Sequence, residues 1–368
     1  MRAIISGGGT GGHIFPALSI AAALKEADAD NEILFVGAEG KMEMEKVPAA
    51  GYKIVGLPVA GLQRRLTLSN LALPFKVLKS ISMAKKIIRT FRPDVAIGVG
   101  GYASAPLLWA AQRLGIPTII QEQNGFAGLT NKIVGRKALK ICVAYDGMER
   151  FFPADRIVMT GNPIRSEMRP MSAEQKAEGI KFYRLDPDKR HIFIVGGSLG
   201  SGTLNSSVKK WIEDGCPGGD GIEVIWQCGK YYKDGVDEFM SSHKPACRVW
   251  HSDFIKRMDL AYAAADVVIS RAGASSISEL CAVGKACILV PSPNVAEDHQ
   301  THNAMALVRK DAAIMIKDQD AVGKLMSAAT KLVKDDARIA EMEKNIAALA
   351  LTDAAKSIVK VIYDTVGK

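Results

Sequence analysis

Glycines crowd the ends of four short apolar runs in this chain, two in each half. They are Gly7-Gly8-Gly9-Thr10-Gly11-Gly12, Gly98-Val99-Gly100-Gly101, Gly196-Gly197-Ser198-Leu199-Gly200 and Arg271-Ala272-Gly273-Ala274. Glycine lets backbone N–H groups approach a ligand closely, and a following helix offers its positive end to phosphate. In open α/β sheets, ligands bind at the carboxyl ends of the strands. One such cluster would fit any tight strand-to-helix turn. Four of them predict two nucleotide-type domains with a cleft between.

The rest of the chain has the same grammar. Strand candidates in the first half are Ala3–Ser6, Ile33–Val36, Asp94–Val99, Thr118–Gln121, Lys140–Ala144 and Ile157–Thr160. In the second half they are His191–Val195, Glu223–Gln227, Val267–Ser270, Cys287–Val290 and Ala313–Ile316. Helical stretches such as Pro16–Lys25, Leu204–Ile212 and Ile277–Val283 lie between them. Buried β-branched runs alternating with helices predict α/β architecture, with parallel sheets covered on both faces. Turn residues at Gly161-Asn162-Pro163-Ile164-Arg165 end the first half, and the charged stretch 167–190 reads as a hinge and entry helix. The expected domains are residues 1–165 and 166–351. A terminal helix, about 352–368, has no sheet partner of its own and is expected to pack back on the first domain.

A length of 368 residues suits two domains of ordinary size. No apolar run approaches the roughly 20 residues needed to span a bilayer, and the N-terminus lacks the pattern of a secretory signal. A cytoplasmic protein is therefore expected. The six cysteines form no CxxC pair and the six histidines are scattered, so neither a disulfide nor a metal site is expected. Cys142, Cys281 and Cys287 read as small buried hydrophobes.

Charge is unevenly placed. Residues 1–165 hold 21 Lys/Arg against 12 Asp/Glu, whereas residues 166–368 hold 27 of each. Residues 62–92 alone carry eight basic residues and no acidic one. Such a patch suits an anionic lipid surface or another acidic partner, or is a solvated helix face. Residues 74–92 read as a helix whose core stripe is Val77, Ile81, Ala84 and Ile88. Lys76, Lys79, Lys86 and Arg89 take a separate face beside Phe75. Upstream, Arg64 and Arg65 lie among Leu62 and Leu66 in a loop. Apolar groups beside an acid-free basic surface predict a peripheral membrane contact rather than nucleic-acid binding.

Gly7–Gly12 fits G-x-G-x-x-G, yet the first acidic candidate for a ribose, Glu39, lies further along than that fingerprint expects. The absence of GK[ST] argues against phosphate-loop ATPase chemistry. Backbone N–H groups of the first-half clusters, at Gly9, Gly100, Gly101 and neighbouring Tyr102, are candidates for a sugar or lipid pyrophosphate, such as that of an acceptor. In the second half, Ser270 to Glu279 leaves a buried strand and opens a helix. Glu279 is placed to take two ribose hydroxyls, although a helix-capping carboxylate has the same signature. The polar helix start Asp298-His299-Gln300-Thr301-His302-Asn303-Ala304 suits sugar hydroxyls.

GGGTGGHIFPALSIA (7–21), GVGGYASAP (98–106), EQNGFAGLTNK (122–132), GNPIR (161–165), GGSLGS (196–201), RAGASSISE (271–279) and DHQTHNA (298–304) resemble the bacterial MurG family in composition and order. The resemblance implies a GT-B fold, two Rossmann-like domains facing across a cleft. It implies inverting transfer of N-acetylglucosamine from UDP-N-acetylglucosamine to undecaprenyl-pyrophosphoryl-N-acetylmuramoyl-pentapeptide, giving lipid II for peptidoglycan synthesis. It further implies a peripheral place on the cytoplasmic face of the cell membrane, no cofactor, and partners among cell-wall synthesis proteins. By the same resemblance, Ile255 would hold the uracil through its backbone, Glu279 the ribose, and Ser198 with its glycines the diphosphate. Ala274, Ser275, Ser276, Ile277, Ser278 and Gln300 would hold the sugar hydroxyls. Thr10, Gly11, Gly12, Asn124 and Arg165 would close over the donor.

Three positions depart from the family pattern. Leu199 stands where Gln is usual, Ala105 where glycine is frequent, and Gln121 where His is frequent before Glu122. The last removes one candidate base. His13 remains, at a helix start, where the positive end favours a neutral imidazole able to accept a proton. A histidine that only ties its loop is the competing role. The competing functions are a related transferase with another lipid acceptor, of diacylglycerol type, a UDP-sugar epimerase of similar architecture, and a non-catalytic UDP-sugar-binding membrane adaptor.

Overall fold

The computed structural model describes residues 1–59, 73–165, 167–197 and 199–367 of the chain. Leu62, Arg64, Arg65, Leu66 and Ser198 therefore lie outside the described residues. The chain divides into two compact units, Met1–Arg165 with Leu351–Lys368, and Ser166–Ala350.

In the first unit the elements run β1 (Arg2–Ser6), α1 (Gly11–Ala27), β2 (Glu32–Ala38), α2 (Glu43–Ala49), β3 (Lys53–Leu57), α3 (Leu73–Phe91), β4 (Val95–Gly98), α4 (Ser104–Arg113), β5 (Thr118–Glu122), α5 (Leu129–Gly135), β6 (Lys140–Val143) and β7 (Ile157–Met159). They form a seven-stranded sheet of order β3-β2-β1-β4-β5-β6-β7, parallel throughout. Alternation along β1 feeds both cores, because successive side chains of a strand point to opposite faces. Ala3 and Ile5 pack with Ile20 and Leu24 of α1, whereas Ile4 packs with Leu107 and Leu108 of α4.

The second unit runs α6 (Ala173–Phe182), β8 (Arg190–Val195), α7 (Gly202–Glu213), β9 (Ile222–Gln227), α8 (Lys233–Ser242), β10 (Val249–Ser252), α9 (Met258–Ala264), β11 (Val267–Ser270), α10 (Ala274–Val283), β12 (Cys287–Leu289), α11 (His299–Val308), β13 (Ile314–Met315), α12 (Asp318–Leu332) and α13 (Asp336–Ala347). Its six-stranded sheet, also parallel, has the order β10-β9-β8-β11-β12-β13. The last helix, α14 (Ala354–Val366), belongs to the first unit. It lays Ile358, Val359 and Ile362 on the α1 side of that sheet, and Tyr363 Oη accepts from Asn31 Nδ2 at 2.8 Å. Gly161, at φ +83°, makes room for the chain's return. A Cβ there would lie 2.5 Å from Leu351 Cβ.

Three features differ from the sequence expectation. Two strands, β3 and β10, carry no clear signal in the sequence, and both are sheet edges. VWHS of β10 lacks the continuous apolar run of a central strand, and the short apolar run of β3 contains Gly56 and is followed at once by Pro58, residues that weaken a strand signal. Helix α1 begins at Gly11 rather than Pro16, so Pro16 sits inside it and His13 lies in its first turn. On α3 the core stripe is Ser80, Ala84 and Ile88, while Val77 is 41% exposed. The N-terminal end of α3 thus reaches beyond its packing partners.

Among the described residues no helix is long and apolar enough to cross a membrane. All six cysteines are free. Burial pushes the Cys142 and Cys281 thiols up to about 12, which removes them as nucleophiles near neutral pH.

Ile358 is fully buried between α14 and the sheet, so Ile358→Ala should destabilise the first unit by about 2–5 kcal/mol. Hydrogen exchange read along β1 and α1 checks this. Unchanged protection there would show that α14 adds nothing to that core.

Candidate active site

Each sheet has a switch point, where the connections change direction: between β1 and β4 in the first unit, and between β8 and β11 in the second. The four glycine clusters follow these four strands. In doubly wound sheets the crevice at such a point is where ligands bind.

In the first unit the two glycine loops lie against each other. Gly101, at φ +89°, passes so near Gly8 that a Cβ would come within 2.3 Å of its carbonyl oxygen. A Cβ on Gly100, at φ +96°, would meet the His13 ring at 2.7 Å. His13 Nδ1 lies 3.1 Å from Gly8 O and 3.3 Å from Thr10 Oγ1. A carbonyl can only accept, so the bond to Gly8 needs the proton on Nδ1. In a neutral ring this makes Nε2 the basic nitrogen. Thr10 is the N-cap of α1 with extended backbone, and Gly11 and Gly12 supply the amides of the first turn. Gly12 is exposed, and nothing nearer than 3.7 Å would meet a Cβ on it. Tyr102, half exposed, stands beside the first loop.

One expected contact is not available. The Gly9 N–H, a candidate for the acceptor pyrophosphate, donates instead to Glu43 Oε2 at 2.9 Å. Glu43 was not legible as a functional residue, because KMEMEKVP reads as an ordinary charged helix.

The loop after β5 is organised by another buried carboxylate, Glu122. It accepts from Asn124 N at 3.1 Å, Gly128 N at 3.1 Å and Asn131 Nδ2 at 2.9 Å. Asn124 is thereby held at the carboxyl end of the sheet. Gln121 is fully buried and donates to Asn162 Oδ1 at 2.9 Å, while Asn162 donates to Gln123 O at 2.9 Å. Gln121 is thus part of an internal amide network. Arg165, the last residue before the chain passes to the second unit, is exposed. Ala105 lies in the first turn of α4, and nothing in the structure sets it apart.

In the second unit Leu199 is 73% exposed, an apolar side chain on the loop expected to meet a diphosphate. Gly200 and Gly229 pack backbone to backbone, a Cβ on Gly229 falling 2.2 Å from Gly200 N. Ile255 is buried just beyond β10. The residues Ala274 to Glu279 all belong to α10, with Gly273 at its N-cap. Tyr262 Oη donates to Glu279 Oε2 at 3.3 Å, so α9 contributes to holding this carboxylate. Gln300 Oε1 accepts from Ser292 N at 2.8 Å, fixing the loop after β12. Glu297 and Asp298 in that loop hold left-handed backbone, φ +54° and +49°, a strain on the order of 1 kcal/mol each for non-glycine residues.

Arg271 joins these loops. Its Nη1 donates to Val290 O at 3.0 Å and Pro291 O at 3.2 Å and pairs with Asp318, whose Oδ2 accepts from Thr203 Oγ1 at 3.0 Å. One guanidinium thus connects the ends of β11 and β12 with α12, and through Asp318 with α7. Among the described residues no three His, Cys, Asp or Glu side chains gather as a metal site would need.

Two doubly wound parallel sheets, each with glycine loops at its switch point, define a protein of GT-B architecture. The sequence matches the glycosyltransferase family 28 N-terminal domain over residues 3–143 and its C-terminal domain over residues 191–358. A Parabacteroides distasonis protein named UDP-N-acetylglucosamine–N-acetylmuramyl-(pentapeptide) pyrophosphoryl-undecaprenol N-acetylglucosamine transferase is 54% identical, the match covering 100% of this chain and 99% of the relative. A Cytophaga hutchinsonii protein of the same name is 52% identical, with 99% and 97% covered. The crystal structure of Acinetobacter baumannii MurG superposes with a TM-score of 0.78 at 27% identity, over 99% of both chains. A UDP-GlcNAc 2-epimerase from Neisseria meningitidis shares the fold alone, at 12% identity and TM-score 0.64. The chain belongs to the MurG family of glycosyltransferases.

Proposed function

We propose that this protein transfers N-acetylglucosamine from UDP-N-acetylglucosamine to the N-acetylmuramoyl-pentapeptide carried on undecaprenyl pyrophosphate, forming lipid II. The observation that carries the reading is identity above 50% along the full chain to relatives named for this reaction.

The second unit takes the donor. The Ile255 backbone meets the uracil and Glu279 accepts from the ribose hydroxyls. The Gly196–Gly200 loop with Ser198 meets the diphosphate. Ala274, Ser275, Ser276, Ile277 and Ser278 line the sugar at the start of α10. Gln300 commits its oxygen to Ser292 and offers its amide nitrogen to a sugar hydroxyl. The first unit takes the acceptor at Gly100, Gly101 and Tyr102, with Thr10, Gly11, Gly12, Asn124 and Arg165 contributing to donor contact.

Transfer is a single displacement. The acceptor hydroxyl oxygen bonds to the anomeric carbon as the bond from that carbon to the UDP oxygen breaks, inverting the centre. The hydroxyl proton passes to His13 Nε2, the nitrogen made basic by the bond from Nδ1 to Gly8 O. The N-terminus of α10, with the glycine loop amides and Arg165, stabilises the departing diphosphate.

Membrane docking of the first unit is supported by α3, where Phe75 and Leu78 are 75% and 65% exposed beside Lys76 and Lys79. Lys86 and Arg89 continue the exposed basic surface. Helix α4 packs on both α3 and α5, and α5 exposes Leu129 and Ile133 near Lys132 and Arg136. The surface suits the cytoplasmic leaflet.

Glu279→Ala should raise the donor KM by roughly ten- to a hundredfold, since a hydrogen bond to a charged group contributes about 1.5–3 kcal/mol. A donor KM within about twofold of wild type in a UDP-release assay would remove Glu279 from the ribose site. His13→Ala should lower kcat about 10²-fold with donor KM kept. Retained kcat with lost stability would make His13 a loop tie only. In vesicle co-sedimentation at low salt, the wild type should bind anionic vesicles and be released by salt. A Lys76→Glu, Lys79→Glu, Arg89→Glu variant should fail to bind, each cation contributing about 1 kcal/mol at an anionic leaflet. Equal binding by both proteins would make α3 a solvated helix.

A further inference from the structure

We infer that Glu43 is a positioning residue for the transfer, a buried carboxylate that holds the first glycine loop and, through Gly8, sets the His13 ring. The inference rests on the reading of His13 as the base.

Glu43 is fully buried. Among the described residues its carboxylate meets two backbone donors and no cation: Gly9 N at 2.9 Å and Ala38 N at 3.0 Å. A carboxylate taken out of water needs such donors to offset its lost hydration. Its socket is built from two glycines on different strands. A Cβ on Gly8, just past β1, would lie 2.2 Å from Glu43 Oε1. A Cβ on Gly37, within β2, would lie 2.6 Å from Glu43 Cγ. Both positions must lack a side chain for the carboxylate to reach Gly9.

From Glu43 the contacts lead directly to the reacting group. Gly9 is held by the carboxylate, the preceding Gly8 gives its carbonyl to His13 Nδ1 at 3.1 Å, and Gly101 packs against that same carbonyl. Displacing the carboxylate releases the peptide between Gly8 and Gly9, and with it the acceptor that fixes the His13 tautomer. Donor contacts in the second unit involve none of these groups, and the first-unit donor candidates Thr10, Gly11 and Gly12 are held by α1 itself, whose first bonds run from His13 N and Ile14 N to Thr10 O.

The test is Glu43→Gln, which keeps shape but turns an amide NH2 toward one of the two backbone donors. It should lower kcat about ten- to a hundredfold, as misplaced catalytic groups do, with the donor KM within about twofold of wild type. Hydrogen exchange at the Gly9 and Ala38 amides should accelerate at least about tenfold. Gly37→Ala disturbs the carboxylate from outside the loop and should reproduce the loss of kcat should Glu43→Gln fail to fold. Wild-type kcat and unchanged Gly9 exchange in a folded Glu43→Gln protein, with kcat of His13→Ala lowered about 10²-fold, would overturn the role of Glu43 and leave His13 as base. A His13→Ala protein with wild-type kcat would overturn the base reading and this proposal's last link with it. Gly9 exchange in Glu43→Gln would then still report whether the carboxylate holds the loop.

Discussion

Backbone lies directly on backbone where the first unit's glycine loops meet. Gly101 rests on the Gly8 carbonyl and Gly100 on the His13 ring, at separations that admit no Cβ. Because β1 and β4 are neighbours in the sheet, their following loops must share the small area above the switch point. Only glycine permits that closeness together with the positive φ of Gly9, Gly100 and Gly101. The position of His13, the exposure of the first turn of α1 and the burial of Glu43 beneath the loop all follow from this contact.

The second unit solves the same problem with different groups. Gly200 and Gly229 make the close backbone contact, and the loops are tied by charge. Arg271 and Asp318 connect the ends of two strands with α12 and α7. The tie is only partly exposed at both partners, so solvent screens it less than it screens surface pairs. One unit thus holds its loops with a buried carboxylate and amides, the other with a guanidinium reaching carbonyl oxygens. An anionic support beneath a loop suits a group that must be positioned.

Charge on the outside follows a different logic. The excess of Lys and Arg lies in the first unit, and α3 sets exposed Phe75 and Leu78 among lysines. A water-facing helix alone would have little use for those two side chains. Helix α14 closes the opposite face of the same sheet, so the last residues of the chain stabilise the first unit from behind.

Much of this was legible in the sequence because it rests on local rules. Central strands announce themselves by apolar runs, helices by periodicity, and switch-point loops by glycine. The edge strands β3 and β10 did not, since VWHS lacks that run and the run of β3 is short and interrupted by Gly56 before Pro58. The start of α1 was hidden by its glycines and by Pro16, and the α3 stripe, right at Ala84 and Ile88, was carried too far to Val77 because periodicity cannot show where packing partners end. Glu122 and Asn124 stand together in the chain, so their link was within reach. Gln121, by contrast, was a departure in the motif and proved to be interior. Strand order, the sharing of one crevice by loops 93 residues apart such as Gly8 and Gly101, and the burial of Glu43 were decided only by the tertiary structure. The sequence by itself determined which segments become strands, helices and phosphate-type turns, because those depend on neighbours within a few residues. Which carboxylate lies beneath which loop depends on groups brought together from distant strands, and no local pattern encodes that.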